Sequence, residues 1–331
     1  MAATKLPSFD ELPNFEDFTG CAWGVWGKDD ELGTINLLTE EVVKEAAKEI
    51  KLGKSICLNW PLNFPAKPLF DRQAAVHESW LKPSGHVHDD SIQINTQSGS
   101  QWDGLKHFGL AKQKMFYNGV SVDQLHHGRL QIPDPTNVDK TATKLGIHNW
   151  AQHGITGRGV LLDLVRFYTA SGAPLPYDPW TSHAIPLQDL LKCAEQQGVT
   201  FQQGDILLLR IGFTQRYYGA SPEERDGLAG KPETFAGIEQ SEDVKRFLWD
   251  NHFAAIASDQ PTVERWPTPQ GVPHLHQTFL GMWGMPIGEI FDLEALSTAC
   301  AEAGRYTFFF TSWPLNVYGG IASPPNAAAI L

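Results

Sequence analysis

Along the second half of this chain, apolar runs alternate with segments of helical period. "GRGVLLDLVRF" (157–167) and "GDILLLRIGF" (204–213) are nearly continuous apolar stretches. They read as buried strands, because a strand covered on both faces has no need of polar alternation. "FAAIASD" (253–259) reads as a third strand and "YTFFFTSW" (306–313) as a fourth. Between them, "PLQDLLKCAEQQG" (186–198), "EDVKRFLWDNH" (242–252) and "DLEALSTACAEAG" (292–304) have helical spacing. Pro186 lies near the start of the first helix, and Gly198 and Gly304 lie at the ends of the first and third. Helices alternating with buried strands predict an α/β domain whose sheet is covered on both faces.

The first half is less regular. "TEEVVKEAAKEI" (39–50) predicts a helix, with Thr39 as N-cap, Glu40 and Glu41 in the first turn, and Gly53 just past the end. "SICLNWPL" (55–62) reads as a strand, and the Pro- and Gly-rich residues 61–90 as loop. "SIQINT" (91–96) alternates strictly. Extended geometry continued to residue 103 would put Gln97, Gln101 and Asp103 on one face, with Gly99 allowing close approach to a ligand. Residues 1–38 read as an arm, acidic and carrying Trp23 and Trp26, ahead of a single domain over 39–331. An arm with tryptophans and no evident core role suits an interface, so a homodimer or higher homo-oligomer is expected.

Composition narrows the function. Of 331 residues, 42% are hydrophobic, with 11 Trp and 18 Phe, enough for a sizeable core. The net charge of −12 disfavours nucleic acid and anionic membrane as partners, since both need basic patches. Cys21, Cys57, Cys193 and Cys300 are far apart and read as reduced thiols. The N-terminus shows neither the basic nor the apolar region of a signal peptide, and no apolar run approaches the roughly 20 residues of a membrane span. A cytoplasmic location is the expectation.

Several motifs carry little. "GITGRGV" precedes a strand, so it is not a dinucleotide fingerprint. His86 and His88 read as exposed loop histidines. His274 and His276 form a second H-x-H pair, able to bind a metal if it shares one face. Glu289, amid apolar residues in "GMPIGEIFDL", is either a desolvated functional carboxylate or a charge that complements a helix dipole. Asp259 and Glu264 in "ASDQPTVE" either line a site at a strand end or make a structural turn.

The densest cluster is "NTQSGSQWDGLKHFG" (95–109). It gathers two amides, a carboxylate and an imidazole around Trp102, too polar for a core strand and too specialised for a plain turn. This stretch resembles the signature of the cyclase family, the metal-dependent hydrolases that include kynurenine formamidase and isatin hydrolase. The family pattern H-x-G-T-H-x-D-x-P-x-H lies over "QSGSQWDGLKH" without a gap, and "WGKDDELGTINLL", "HLHQTFL" and "PLNVYGGIASPPNAAAI" are similar to further blocks of a Gln-Trp-Asp branch. The resemblance implies a swivelling β/β/α fold within the α/β class, usually assembled as homo-oligomers. It implies a metal held at the positions of Gln97, Gln101 and Asp103, completed by a later His (His276, with His274 as alternate) and by Glu289. It implies that His107 serves as acid/base.

The departure from the pattern is that Gln97 and Gln101 stand where the family has histidines. Amide oxygens in place of imidazoles shift preference from Zn2+ toward Mn2+ or Mg2+, or leave the site without a catalytic metal. The expected function is metal-assisted hydrolysis of a small amide, lactam, lactone or related acyl compound, with Trp102, Phe108 and Tyr117 as pocket walls. The rival is a non-hydrolytic cyclase, dehydratase or isomerase using His107 and Glu289 without metal, the glutamines being oxyanion donors. A non-catalytic binding protein would have no reason to keep His107 and Glu289 together.

Overall fold

The computed structural model describes residues 6–331; residues 1–5 of the expected arm lie outside the described residues. Its centre is a nine-stranded mixed sheet in the order Ser55–Cys57, Ala327–Ile330, Thr307–Ser312, Ile155–Asp163, Ile206–Arg210, Ala255–Ser258, Ile287–Glu289, Gln101–Asp103, Ala322–Ser323. The four strands from Ile155–Asp163 to Ile287–Glu289 run parallel, and the outer pairings are antiparallel. The longest of the parallel strands are the ones whose sequences are continuous apolar runs. Leu207 and Leu209 pack into one core layer, and Ile206, Leu208 and Leu161 into the other, so both faces are covered as the pattern requires.

Helices Leu187–Gln196 and Glu242–Asp250 pack on the first face through Leu190, Cys193, Val244 and Leu248. Helix Glu294–Ala303 packs on the second through Leu296, Ala299 and Cys300. Thr39 caps its helix by accepting a bond from Val42 N. The α/β class read from the sequence is the class the chain adopts. Among the described residues, no helix is long and apolar enough to cross a membrane.

Three expectations need correction. The apolar run at 157–167 is strand only to Asp163. There the Asp163 carboxylate accepts from Arg166 N and caps a helix over Leu164–Thr169. Residues 61–90 are not all loop: Val76–Leu81 pairs antiparallel with His88–Gln93, and nearly every residue of this hairpin is exposed. The alternation in "SIQINT" therefore has no core face, and Ile92 is 54% exposed.

The N-terminal segment also has a core role. Phe9, Leu12, Phe18 and Ala22 join the first core layer. The Trp23 indole donates to Gly281 O, and Trp26 packs edge-on against Trp249. These tryptophans are used inside their own chain, which removes the ground on which an oligomer was expected from them.

Candidate functional site

Gln101–Asp103 pairs antiparallel with Ile287–Glu289, with Gln101 opposite Glu289 and Asp103 opposite Ile287. Directly opposed residues share a face, so Gln101, Asp103 and Glu289 point the same way. Trp102 points to the other face. It is fully buried against Phe291 and Phe310, and its indole N–H donates to Ser312 Oγ. Gly288 lies opposite Trp102, and a Cβ there would come within 2.9 Å of the indole and 2.5 Å of Ala257 Cβ. The close fit of this second layer sets the height of the two polar strands.

Gln97 reaches the site from a turn rather than from the expected strand. Its Nε2 donates to Asp103 Oδ1 at 2.8 Å and lies 3.0 Å from His107 Nδ1. Gly99 approaches backbone, not ligand: a Cβ there would meet Phe64 O at 2.7 Å. His107 is placed by a turn closed by its own N–H on Gly104 O. Its Nε2 is 3.8 Å from Asp103 Oδ2. Burial lowers the pKa of His107, against the opposing pull of Asp103, so the imidazole is neutral near pH 7.

His276 immediately precedes the wide helical segment Gln277–Trp283. Its Nδ1 lies 2.6 Å from Glu264 Oε1, which also accepts its backbone N–H. Its Nε2 is thereby aimed at Glu289 Oε1, 3.2 Å away. Burial opposes a charge on His276, but the bonds to Glu264 and Glu289 outweigh it and raise its pKa to about 10. Burial and the charge of Asp103 push Glu289 up to about 7. His274 takes a different part: it stacks on Trp266, with Nδ1 2.7 Å from Thr268 Oγ1. The structure thus separates the two histidines that the sequence left as alternates. His86 lies on the exposed hairpin turn and His88 on the adjoining strand.

Of the residues singled out, Gln97, Gln101, Asp103, His107, His276 and Glu289 come together. Phe108 joins them, its ring 5.3 Å from His276 and 6.0 Å from His107. Trp102 and Tyr117 do not line the site. Tyr117 is fully buried, bonded through its hydroxyl to Asp30, and packed where a Cβ on Gly284 would strike its ring. Both are core residues because large aromatics beside a polar strand fill the layer beneath it.

Sequence reasoning left two partners unassigned. Glu264 could be seen as a strand-end acid, but nothing in its spacing tied it to His276. Arg72, in a loop without pattern, donates through Nη1 to Gln97 O at 2.7 Å and to Gln101 Oε1 at 3.3 Å. That contact orients the Gln101 amide: its oxygen faces Arg72, and its nitrogen donates to Asp103 Oδ1 and Glu289 Oε2. Asp259, the other strand-end acid, accepts from the backbone N–H groups of Ile211 and Gly212 and is a structural turn residue.

The donor set can be tested against a metal. The ligand atoms of Asp103, His276 and Glu289 lie within 4.8 Å of one another. Asp103 Oδ2 is buried and has no hydrogen-bond partner among the described residues. Glu264 holds the Nδ1 end of the His276 ring, as carboxylates behind metal-binding histidines do. Two carboxylates and an imidazole with an orphaned oxygen between them fit a divalent cation. The glutamines do not fit as ligands in this arrangement, because both present N–H groups to the cluster and an N–H cannot coordinate a cation.

Comparison with known proteins follows the same division between fold and chemistry. The architecture is that of cyclase-type α/β proteins: the chain superposes on the crystal structure of a novel cyclase with a TM-score of 0.79, at 30% identity, over 94% of this chain and 99% of that one. The Cyclase family model matches residues 56–265, and the chain belongs to that family. An isatin hydrolase bound to the product analogue thioisatinate shares the fold with a TM-score of 0.54 at 12% identity, covering 84% of this chain and 92% of that one. Isatin hydrolase A from Ralstonia solanacearum does so with a TM-score of 0.54 at 14% identity, covering 83% and 91%. No curated protein matches the chain.

Proposed function

We propose that the protein is a metal-assisted hydrolase of a small amide, lactam, lactone or related acyl compound. The observation that carries this reading is the buried Oδ2 of Asp103, which has no hydrogen bond among the described residues and faces His276 Nε2 and Glu289. Asp103, His276 and Glu289 would hold a divalent cation, Mn2+ in preference to Zn2+ because two of the three ligands are oxygens. When bound, such a cation polarises a carbonyl and makes water more acidic.

The chain's own residues supply the rest. His107, neutral near pH 7 and beside Asp103, accepts a proton from the attacking water and returns it to the leaving nitrogen or oxygen. Gln97 holds the His107 ring through its amide and braces Asp103 at the same time. Phe108 and Trp266 close over His276 and limit water at the reacting centre. The partners implied are a small-molecule substrate and no nucleic acid or membrane.

A second reading rests on the amide orientation. With Gln97 and Gln101 donating to the carboxylates and His276 held in its charged form, part of the cluster's negative charge is offset from within the protein. A dehydratase, cyclase or isomerase could then use His107 and Glu289 without metal.

A panel of lactams, lactones and N-formyl amides decides between them. Chelator-treated protein is expected to hydrolyse at least one member only after Mn2+ is restored. Full hydrolysis in chelator removes the metal's part and leaves His107 and Glu289 as acid and base, while turnover of no panel member with or without Mn2+ favours the non-hydrolytic reading. The support for His276 has its own test: Glu264→Gln weakens Mn2+ affinity by about 10- to 100-fold, as loss of a carboxylate behind a metal-binding histidine does. Unchanged affinity in a Mn2+ titration counts against the ligand assignment.

A further inference from the structure

Arg72 is a cation without an ion-paired carboxylate among the described residues. Its Nη1 is engaged by Gln97 O and Gln101 Oε1, while among the described residues no carboxylate forms an ion pair with its guanidinium. The group is half-buried and lies over the Phe70 ring at 5.0 Å. Phe70 and Asp71 both have left-handed backbone, φ 58° and 52°, an uncommon conformation for two successive side-chain-bearing residues. Glu233 holds the first of them through its backbone N–H, and Phe235 and Trp266 pack against its ring. Arg72 is thus fixed in place by a strained turn, an aromatic face and two acceptors. Its remaining N–H groups have no partner among the described residues.

A guanidinium fork fixed in this way beside a reacting centre matches a planar carboxylate. We propose that Arg72 determines specificity: it receives a carboxylate carried by the substrate, and so selects anionic acyl compounds over neutral ones. The inference rests on the reading that Asp103, His107, His276 and Glu289 form the reacting centre. Arg72 is tied to that centre through Gln97 and Gln101, the two residues that also contact Asp103. A substrate with its carboxylate on Arg72 is thereby held next to the two glutamines that contact Asp103 and His107. The aromatic faces of Phe108 and Trp266 suit a flat substrate body.

The test is binding of benzoate and its neutral counterpart benzamide to chelator-treated protein, by calorimetry or ligand-observed NMR. Without a cation or turnover, the result does not depend on whether the protein is a hydrolase. Benzoate is expected to bind at least about tenfold more tightly than benzamide. Arg72→Gln should remove that difference and leave benzamide binding within about twofold, and Arg72→Lys should retain part of it. Absence of saturable benzoate binding, or benzoate binding unaltered in Arg72→Gln, overturns the proposal. Equal loss of both probes in a folded variant also overturns it, since that is the signature of a merely structural arginine. Benzoate selectivity in a protein that hydrolyses nothing on the panel would leave this inference standing and sink the hydrolase reading.

Discussion

His107→Ala lowers kcat by about 10²- to 10⁴-fold while the chain stays folded. That range is what a positioned acid/base contributes. The side chain is 20% exposed and its ring contacts are Phe108 and His276, so truncation opens little space in the core. The effect should fall on kcat more than on KM, because the imidazole moves protons in the reaction and holds no large apolar surface of the substrate. Mn2+ affinity should change little, since His107 is not among the three residues whose donor atoms cluster. A variant with near-wild-type kcat, or one that loses Mn2+ along with activity, would assign the residue another part.

Trp102→Ala destabilises the protein by about 3–5 kcal/mol, the usual cost of deleting a fully buried large aromatic. The indole fills the layer between Phe291 and Phe310, meets Gly288 across the strand pair and satisfies Ser312 Oγ. Removing it leaves a cavity beneath the strand that carries Gln101 and Asp103. For a chain of 331 residues, thermal unfolding should show the change as a Tm lowered by about 4–7 °C. Had Trp102 lined the substrate pocket, its loss would raise KM at nearly constant Tm. An unchanged Tm would contradict the buried placement, whereas Phe108→Ala should show the KM effect without a comparable fall in Tm.

Trp102 also shows where sequence reasoning reaches and where it stops. Strand alternation put Gln101 and Asp103 on one face, and by the same rule it put Trp102 on the other. The expectation of a pocket wall set that rule aside in favour of the aromatic's nearness to the motif. The buried parallel strands were legible because double-sided burial writes itself as an apolar run. The helix after Asp163 was not, because the run continues through "LVRF" and only the Asp163 cap marks the change. The exposed hairpin at 76–93 has apolar residues on both strands without a core to explain them, so its pattern resembled a loop followed by a short strand.

The site was legible as far as one contiguous motif carried it. His276 and Glu289 stood out as an H-x-H histidine and a carboxylate amid apolar residues, but only family resemblance tied them to the motif, and the structure brings both to Asp103. Arg72 and Glu264 act through contacts made across more than ten residues of chain and follow no periodicity, so no local pattern announces them. The direction of the glutamine amides was beyond sequence altogether. Arg72 takes the side-chain oxygen of Gln101 and Asp103 takes the amide N–H of Gln97, which turns an expected pair of metal ligands into a pair of donors.

The most direct test of the account is Mn2+ binding to chelator-treated protein, followed by calorimetry or by loss of the free-ion electron paramagnetic resonance signal. The account predicts one saturable site per chain, retained in Gln97→Ala and Gln101→Ala and lost in Asp103→Ala and His276→Ala. No saturable binding at millimolar Mn2+, or a site that survives the loss of His276, would contradict it.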